Sequence, residues 1–288
     1  MAKERRRRGG ATSQRVREDV GGGLAELVPD PDRPRAWQLL LDGAPQSHVD
    51  LDEPTRLSFE YQRRLGHAVD LVAPPGRPIH AVHLGGGGLT LARYVAATRP
   101  RSSQQAAEPD AALTALVRRE LPLPDTARIR VRAVDARALL DRLPEGWADL
   151  VIADVFQGAR TPAHCASAEF LDLARRVLRP GGWYAANIAD GPPLGHLRAQ
   201  AATALDRFAG ACLAAEPAVL RGRRFGNGVL LAADDPLPVA ELTRRCAADP
   251  RPARVVTGRE LLDFTGGAPT VTDATAVPSP PPPAGAFG

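Results

Sequence analysis

Four consecutive glycines, Gly85–Gly88, stand directly after the apolar run IHAVHL (79–84) and directly before the helical pattern LTLARYVAAT. A strand that runs into glycines and then into a helix constrains the fold more than any other part of this chain. Glycine permits a tight turn and lets a ligand approach the backbone closely. In an open α/β sheet the turn after the first strand lies in the crevice at the carboxyl ends of the strands, where nucleosides bind. The cluster is not the spaced GxGxxG of a dinucleotide site. A flexible loop is the plain alternative, and position favours the binding role.

Beyond the glycines, strands and helices alternate. SQQAAEP (103–109) reads as a weak strand ending at Glu108, and DAALTALVRREL as an amphipathic helix with Asp110 as N-cap. ARIRVRAVDA is a strand and ARALLDRL a short helix. ADLVIADVF (148–156) is almost continuously apolar, as a strand covered on both faces should be. SAEFLDLARRVL is a helix stopped by Pro180-Gly181-Gly182. The strand WYAANIAD, the helix HLRAQAATALDRFAG and two strands around a Gly226-Asn227-Gly228 hairpin complete the series. This order predicts an α/β fold with a doubly wound, mainly parallel, Rossmann-like sheet over 74–265. Ahead of it, 24–73 should form a small β section and a helix. AWQLLLDGAPQSHVDL holds two apolar runs around Asp42-Gly43, a favoured hairpin turn. Leu57, Tyr61, Leu65, Ala68 and Leu71 recur at helical spacing until Pro74-Pro75-Gly76. Residues 1–23 are expected to be a disordered basic tail, and the proline-rich 266–288 an extended or disordered one.

Composition removes several classes of function. The positive charge is almost all arginine and Lys3 is the only lysine, so no buried catalytic lysine is available. No stretch approaches the ~18 apolar residues of a membrane helix. MAKERRRRGG has no apolar run behind it and predicts no secretory signal. Cys165, Cys212 and Cys246 are far apart and form no CxxC pair, which argues against a disulfide framework or zinc site and for a reducing, cytoplasmic setting. His83 reads as a strand histidine. His48, His67, His164 and His196 show no metal-ligand spacing, and the adjacent His164 and Cys165 suit neither a nucleophilic dyad nor zinc without further partners, so no metal is expected. The Arg5–Arg8 run has no interleaved aromatic residue; it reads as a solvated tail, and no nucleic-acid partner is expected.

Three acids stand at strand ends. Glu108 comes about 20 residues after the glycines, the spacing of a carboxylate that accepts ribose hydroxyls. Asp135, before Ala136, could accept an adenine amino group or cap the next helix. Asp154 interrupts an apolar strand. A carboxylate there is costly to bury without a partner, and it could bind a substrate amine or take its proton as general base.

From about 36 to 235 the chain resembles the spermidine synthases, the aminopropyltransferases, and most of all their actinobacterial relatives. Leu41-Asp42-Gly43-Ala44-Pro45-Gln46 is similar to the family's LDGxxQ hairpin, Tyr61-Gln62-Arg63-Arg64-Leu65-Gly66-His67 to its Y-x-E-x-x-x-H helix, and Leu84–Gly88 to its GGGDGG loop. Glu108, Asp135-Ala136 and Ile152-Ala153-Asp154 fall at its ribose acid, adenine-side pair and catalytic aspartate. The resemblance implies a fold shared with S-adenosylmethionine-dependent methyltransferases, with decarboxylated S-adenosylmethionine or S-adenosylmethionine as donor and a small amine such as putrescine as acceptor. It also implies a place in polyamine biosynthesis and a homo-oligomer, although no interface is legible. Gly85, Gly86, Gly87, Glu108, Asp135 and Ala136 would hold the donor, Gln46 would contact its chain, Tyr61 would orient the amine, and Asp154 would be the base. Three positions depart from the pattern: Gly88 replaces the loop aspartate, Arg63 the helical glutamate, and Gln157 the second acid of a D-x-x-D-P loop. Each lost carboxylate would hold an ammonium, and an arginine at such a position would repel one. A methyltransferase and a non-catalytic nucleoside-binding protein are the competing readings, which a fold alone does not separate.

Overall fold

The computed structural model describes residues 14–283. Strands β1 (Val16–Val20), β2 (Gly23–Pro29), β3 (Ala36–Leu41) and β4 (Ala44–Asp50) form a four-stranded antiparallel sheet. Asp42 and Gly43 both take positive φ in the two-residue β3–β4 turn, the type I′ geometry that the Asp-Gly pair predicts. Helix α1 (Glu60–Leu71) leads into β5 (His80–Leu84), α2 (Thr90–Thr98), β6 (Ser103–Ala107), α3 (Ala111–Glu120), β7 (Arg128–Arg132), α4 (Ala136–Arg142) and β8 (Ala148–Ala153). After a short 3-10 turn come α5 (Ala168–Val177), β9 (Leu178–Asp190), α6 (Gly195–Arg207), β10 (Gly210–Ala215), α7 (Pro217–Leu220), β11 (Gly226–Ala233), α8 (Val239–Ala248), β12 (Arg254–Thr257) and α9 (Gly258–Thr265). The second sheet runs β12-β10-β11-β9-β8-β5-β6-β7. From β9 to β7 every pairing is parallel, and β11, β10 and β12 add an antiparallel flank.

Burial explains why β8 is apolar except at Asp149, which accepts from the His80 N–H and pairs with Arg179. Val151 packs with α4, α5 and α6 on one face of the sheet, while Leu150 and Ile152 pack with α1, α2 and α8 on the other. The small sheet buries its own face, Ala25, Leu27, Leu39 and Val49, against Leu113, Leu116, Val117 and Leu121, most of them on α3. Buried Arg99 fixes the far end of α1. Its guanidinium donates to the carbonyls of Val69, Asp70, Ala73, Pro74 and Arg77 at 2.7–2.9 Å, satisfying helix-end acceptors that would otherwise lack partners. No helix among the described residues is long and apolar enough to cross a membrane.

Three expectations need correction. The expected tail over 1–23 contains β1, whose Val16 and Val20 lean on the small-sheet core while Arg15 and Arg17 reach Glu26. Charges on its outer face hide this period-two pattern. The Arg5–Arg8 run lies outside the described residues. Gly226-Asn227-Gly228 opens β11 rather than forming a turn; β10 and β11 do pair antiparallel, through a longer connection that holds α7. Helix α5 does end at Val177, ahead of Arg179-Pro180-Gly181-Gly182, but these residues lie inside β9, at a register shift against β8, rather than in a tight turn. The proline-rich end is extended, one of its two expected states, and it is docked. Val271 accepts from the Ala168 N–H, Asp273 pairs with Arg137, and the fully buried Ser279 exchanges hydrogen bonds with Thr161 at 2.8 and 3.0 Å. Arg160 adds bonds to the Pro278 and Ser279 carbonyls. This strap holds the loop 157–164 in place. Arg160→Ala removes a charge-assisted bond that is typically worth ~1.5–3 kcal/mol. Because Gln157 and His164 of that loop line the cavity described below, the affinity of that cavity for a ligand, measured by calorimetry, is expected to fall about 3- to 10-fold.

Candidate functional site

The chain crosses from one side of the parallel sheet to the other between β5 and β8, a topological switch point of the kind where α/β sheets bind ligands. The glycine loop and Asp154 meet there. The Asp154 N–H donates to the Leu84 carbonyl at 2.8 Å, and a Cβ on Gly85 (φ +97°) would lie 2.1 Å from the Asp154 carbonyl oxygen. Only glycine fits that approach. Over this junction lies a cavity of about 630 Å³. Gln46, Tyr61, Gly85, Gly86, Gly87, Glu108, Asp135, Ala136 and Asp154 all line it. The structure thus brings together every residue that sequence reasoning singled out for the site.

The acids are held in different ways. Glu108 accepts from the Gly86 and Gly87 N–H groups at 3.2 and 3.0 Å through one oxygen, and from Asp110 N–H at 3.1 Å through the other. Asp135 caps α4 by accepting from Arg137 N–H, and its second oxygen lies 2.8 Å from His164 Nε2. Burial pushes the Asp135 carboxyl up, but the bonds from His164 and Arg137 outweigh it and hold the group below the usual carboxylate range. Asp154 goes the other way. Burial raises it to about 6, against the opposing bonds from Asn187 and Tyr61. Burial and the neighbouring Asp154 charge keep the Tyr61 phenol protonated far above its ordinary range. A β-bulge between Leu39 and Leu40 aims Gln46: Ser47 faces Leu39 and Pro45 faces Leu40, which leaves Gln46 unpaired and turned to the cavity.

Three contributors escaped the sequence reading. Asn187 on β9 donates to Asp154 Oδ1 at 2.9 Å, and its own buried Oδ1 has no partner. The signal that singles out Asp154, a polar residue inside an apolar strand, is present here too: Asn187 interrupts the run Ala185-Ala186-Asn187-Ile188-Ala189. His164, set aside as a loop residue, lines the cavity beside Asp135. Gly21 and Gly22, placed in the expected tail, form part of the rim, where Gly22 N–H donates to Asp110 at 2.9 Å.

The departures from the family pattern read differently in three dimensions. Arg63 does not line this cavity. Two residues past Tyr61 on a helix is about 200° of rotation, and Arg63 faces a separate cleft of about 450 Å³ with Arg56, His67 and Asp249. The repulsion expected from it is thereby removed. Gln157 does line the cavity. Gly88 is packed under β4, its N–H donating to Ser47 Oγ, and a Cβ there would sit 2.9 Å from Val49 Cγ2 and 3.0 Å from Ser47 Cβ. Gly88→Asp is therefore expected to cost about 1–3 kcal/mol in denaturant unfolding, as overpacking does.

Side chains that could hold a metal also come together, as Asp135–His164–Cys165 and His67–Cys246–Asp249. Burial pushes both thiols up to about 12.

No family model matches the chain, and no curated protein matches it by sequence. Solved structures do. A probable spermidine synthase from Corynebacterium glutamicum ATCC 13032 is 30% identical and superposes with a TM-score of 0.84 over 91% of this chain and 97% of its own. The chain belongs to the spermidine synthase family. Two further spermidine synthases share the fold at lower identity. One, in complex with the transition state analogue AdoDATO, is 15% identical with a TM-score of 0.58, covering 88% of this chain and 83% of its own. The other, from Thermotoga maritima, is 14% identical with a TM-score of 0.57, covering 90% and 85%.

Proposed function

We propose that this spermidine synthase family member is a transferase of polyamine metabolism, moving the aminopropyl group of decarboxylated S-adenosylmethionine to a primary amine, the class that includes putrescine. The observation that carries the reading is the charge of the cavity. Its described lining contains Glu108, Asp110, Asp135 and Asp154 but no arginine or lysine, in a chain with 37 such residues. Such a lining favours cationic ligands and offers no counter-charge to a donor carboxylate.

Glu108 and the Gly85–Gly87 backbone would hold the ribose side of the donor, with Asp135 and Ala136 at the adenine. Gln46 would meet the donor chain, and the packed Gly88 leaves that end neutral. Tyr61 and Asn187 would orient the acceptor at Asp154. The amine nitrogen attacks the carbon next to the sulfonium, the C–N bond forms as the C–S bond breaks, and the bonding pair returns to sulfur as methylthioadenosine leaves. Asp154 takes the proton that the nitrogen loses. A base near 6 is ionised at neutral pH and still basic enough to accept a proton. Alignment of the two reactants does the rest. Turnover should rise with pH through about 6, as Asp154 ionises, and then level off; a pH–rate profile under saturating donor checks this. The three free, buried cysteines suit a reducing, cytoplasmic setting.

Calorimetry with the two donor forms tests the reading. Decarboxylated S-adenosylmethionine is expected to bind at least about tenfold tighter, a difference of about 1.4 kcal/mol. Tighter binding of S-adenosylmethionine would instead indicate a methyltransferase, and binding of neither would indicate a non-catalytic homologue.

A further inference from the structure

The cleft of about 450 Å³ beside α1 shares no lining residue with the donor cavity, and His67 and Asp249 both line it. Next to them is the Cys246 thiol, which has no part in the proposed transfer. His67 stands on α1, Cys246 in the last turn of α8 and Asp249 at the C-cap of α8. Three residues apart on a helix, Cys246 and Asp249 project from one face. One ligating atom from each of the three residues lies within 4.8 Å of those of the other two. Cys246 is fully buried, and the His67 and Asp249 side chains are only 16% and 11% exposed. The other cluster of this kind, Asp135–His164–Cys165, has two half-exposed members and belongs to the donor cavity.

The His67–Asp249 contact differs from its counterparts. The other two histidine–carboxylate pairs among the described residues, His48–Asp30 and His164–Asp135, each make one contact of 2.8 Å, the length of a charge-assisted hydrogen bond. His67 Nε2 instead lies 3.1 Å from both Asp249 oxygens. That is close to the separation of two atoms sharing one metal ion. Nitrogen, oxygen and sulfur bonded tetrahedrally to zinc at about 2.0–2.3 Å sit roughly 3.3–3.7 Å apart, so side-chain shifts of about an ångström close the set. A thiolate beside an imidazole selects zinc-class ions over magnesium or calcium. The thiolate and the carboxylate together cancel a double positive charge. Burial and the Asp249 charge push the Cys246 thiol up to about 12 while Arg64 pulls it down, and a coordinated cation displaces the thiol proton outright.

We propose that His67, Cys246 and Asp249 bind one divalent ion of the zinc class, with its fourth position open to the cleft. Three protein ligands and one open position is an arrangement that zinc commonly adopts. The ion links α1 to the end of α8, two helices that already meet through Arg245 and Asp70 at 2.8 Å. Helix α1 also carries Tyr61, so the ion steadies the helix from which the donor cavity takes that side chain. The sequence expectation of no metal rested on local spacing, whereas His67 and Asp249 are 182 residues apart.

The test uses full-length protein freed of metal with a chelator, then titrated with cobalt(II) and afterwards with zinc at physiological salt. Wild type is expected to take up one equivalent of cobalt with the ultraviolet absorption of a cobalt–thiolate bond, and zinc should displace it. Zinc at about 100 times its dissociation constant should raise the melting temperature by about 5 °C, and magnesium should not. Cys246→Ala should remove the cobalt–thiolate band. His67→Gln or Asp249→Asn should weaken zinc binding at least about 100-fold, the upper end of what losing an outer-shell partner costs. Melting of the metal-free variants verifies their folds, and Cys165→Ala should change none of these results. Absence of the band in wild type overturns the proposal whatever the variants do. A band that survives Cys246→Ala or vanishes with Cys165→Ala overturns it too, as does a stabilisation that magnesium matches. None of these measurements involves turnover, so their outcome stands apart from that of the transferase reading.

Discussion

Asp154→Asn is expected to lower turnover about 1,000-fold, within the 10²–10⁴ that a positioned general base supplies, while donor affinity stays within a few fold. Asparagine keeps the shape and the bond to Asn187 but has no basic oxygen for the proton. The same substitution should stabilise the fold at neutral pH. Asp154 is raised in the folded protein to about 6 from an ordinary value of 3.8, so the folded state binds its proton more tightly than the unfolded chain does. Stability therefore falls as pH rises between these values, and the full cost of the buried charge is felt above 6. The variant lacks that cost. Its melting temperature should exceed that of wild type at pH 7.5, and the gap should close by pH 4. Persisting turnover, or a variant less stable at pH 7.5, would remove Asp154 from the role of base.

The second large effect belongs to Gly85→Ala. An alanine must hold φ near +97° and place its Cβ 2.1 Å from a backbone oxygen that cannot swing away. The dihedral costs ~1–3 kcal/mol and the forced shift a similar amount, about 4 kcal/mol together. For a chain of this size that lowers the melting temperature by roughly 10 °C. Donor affinity should fall at least about 100-fold, because the shift separates the loop from Asp154. Gly76→Ala supplies the control: it has φ +70° and open space around the new Cβ, so only the dihedral cost applies. If the two variants melt alike, the close approach at Gly85 contributes nothing.

Much of this was legible in the sequence, for identifiable reasons. Strand–helix alternation and the Asp42-Gly43 turn are local signals, and the structure follows them. Asp154 stood out because its neighbours are apolar. The errors arise where a long-range contact outweighs local chemistry. VREDV reads as charged tail until Glu26 and the small-sheet core are seen to pair with it. A proline-rich end reads as free chain until Ser279 is seen buried against Thr161. Arg63 was misjudged because a motif aligns residues along the chain and says nothing of which helix face each one occupies. Asn187 reaches Asp154 across 33 residues of sequence, and only the parallel pairing of β8 with β9 makes them neighbours.

The strap has a consequence for synthesis. The cavity wall around Arg160 is anchored to Ser279, 119 residues later. Contacts of such separation form only when both partners are available. On the ribosome, the glycine loop and its acids can be assembled while the wall still lacks its anchor. Ligand-binding competence should therefore emerge only once Ser279 has been made and can dock, so that a chain stopped before it lacks the wall's anchor although every residue lining the cavity is present.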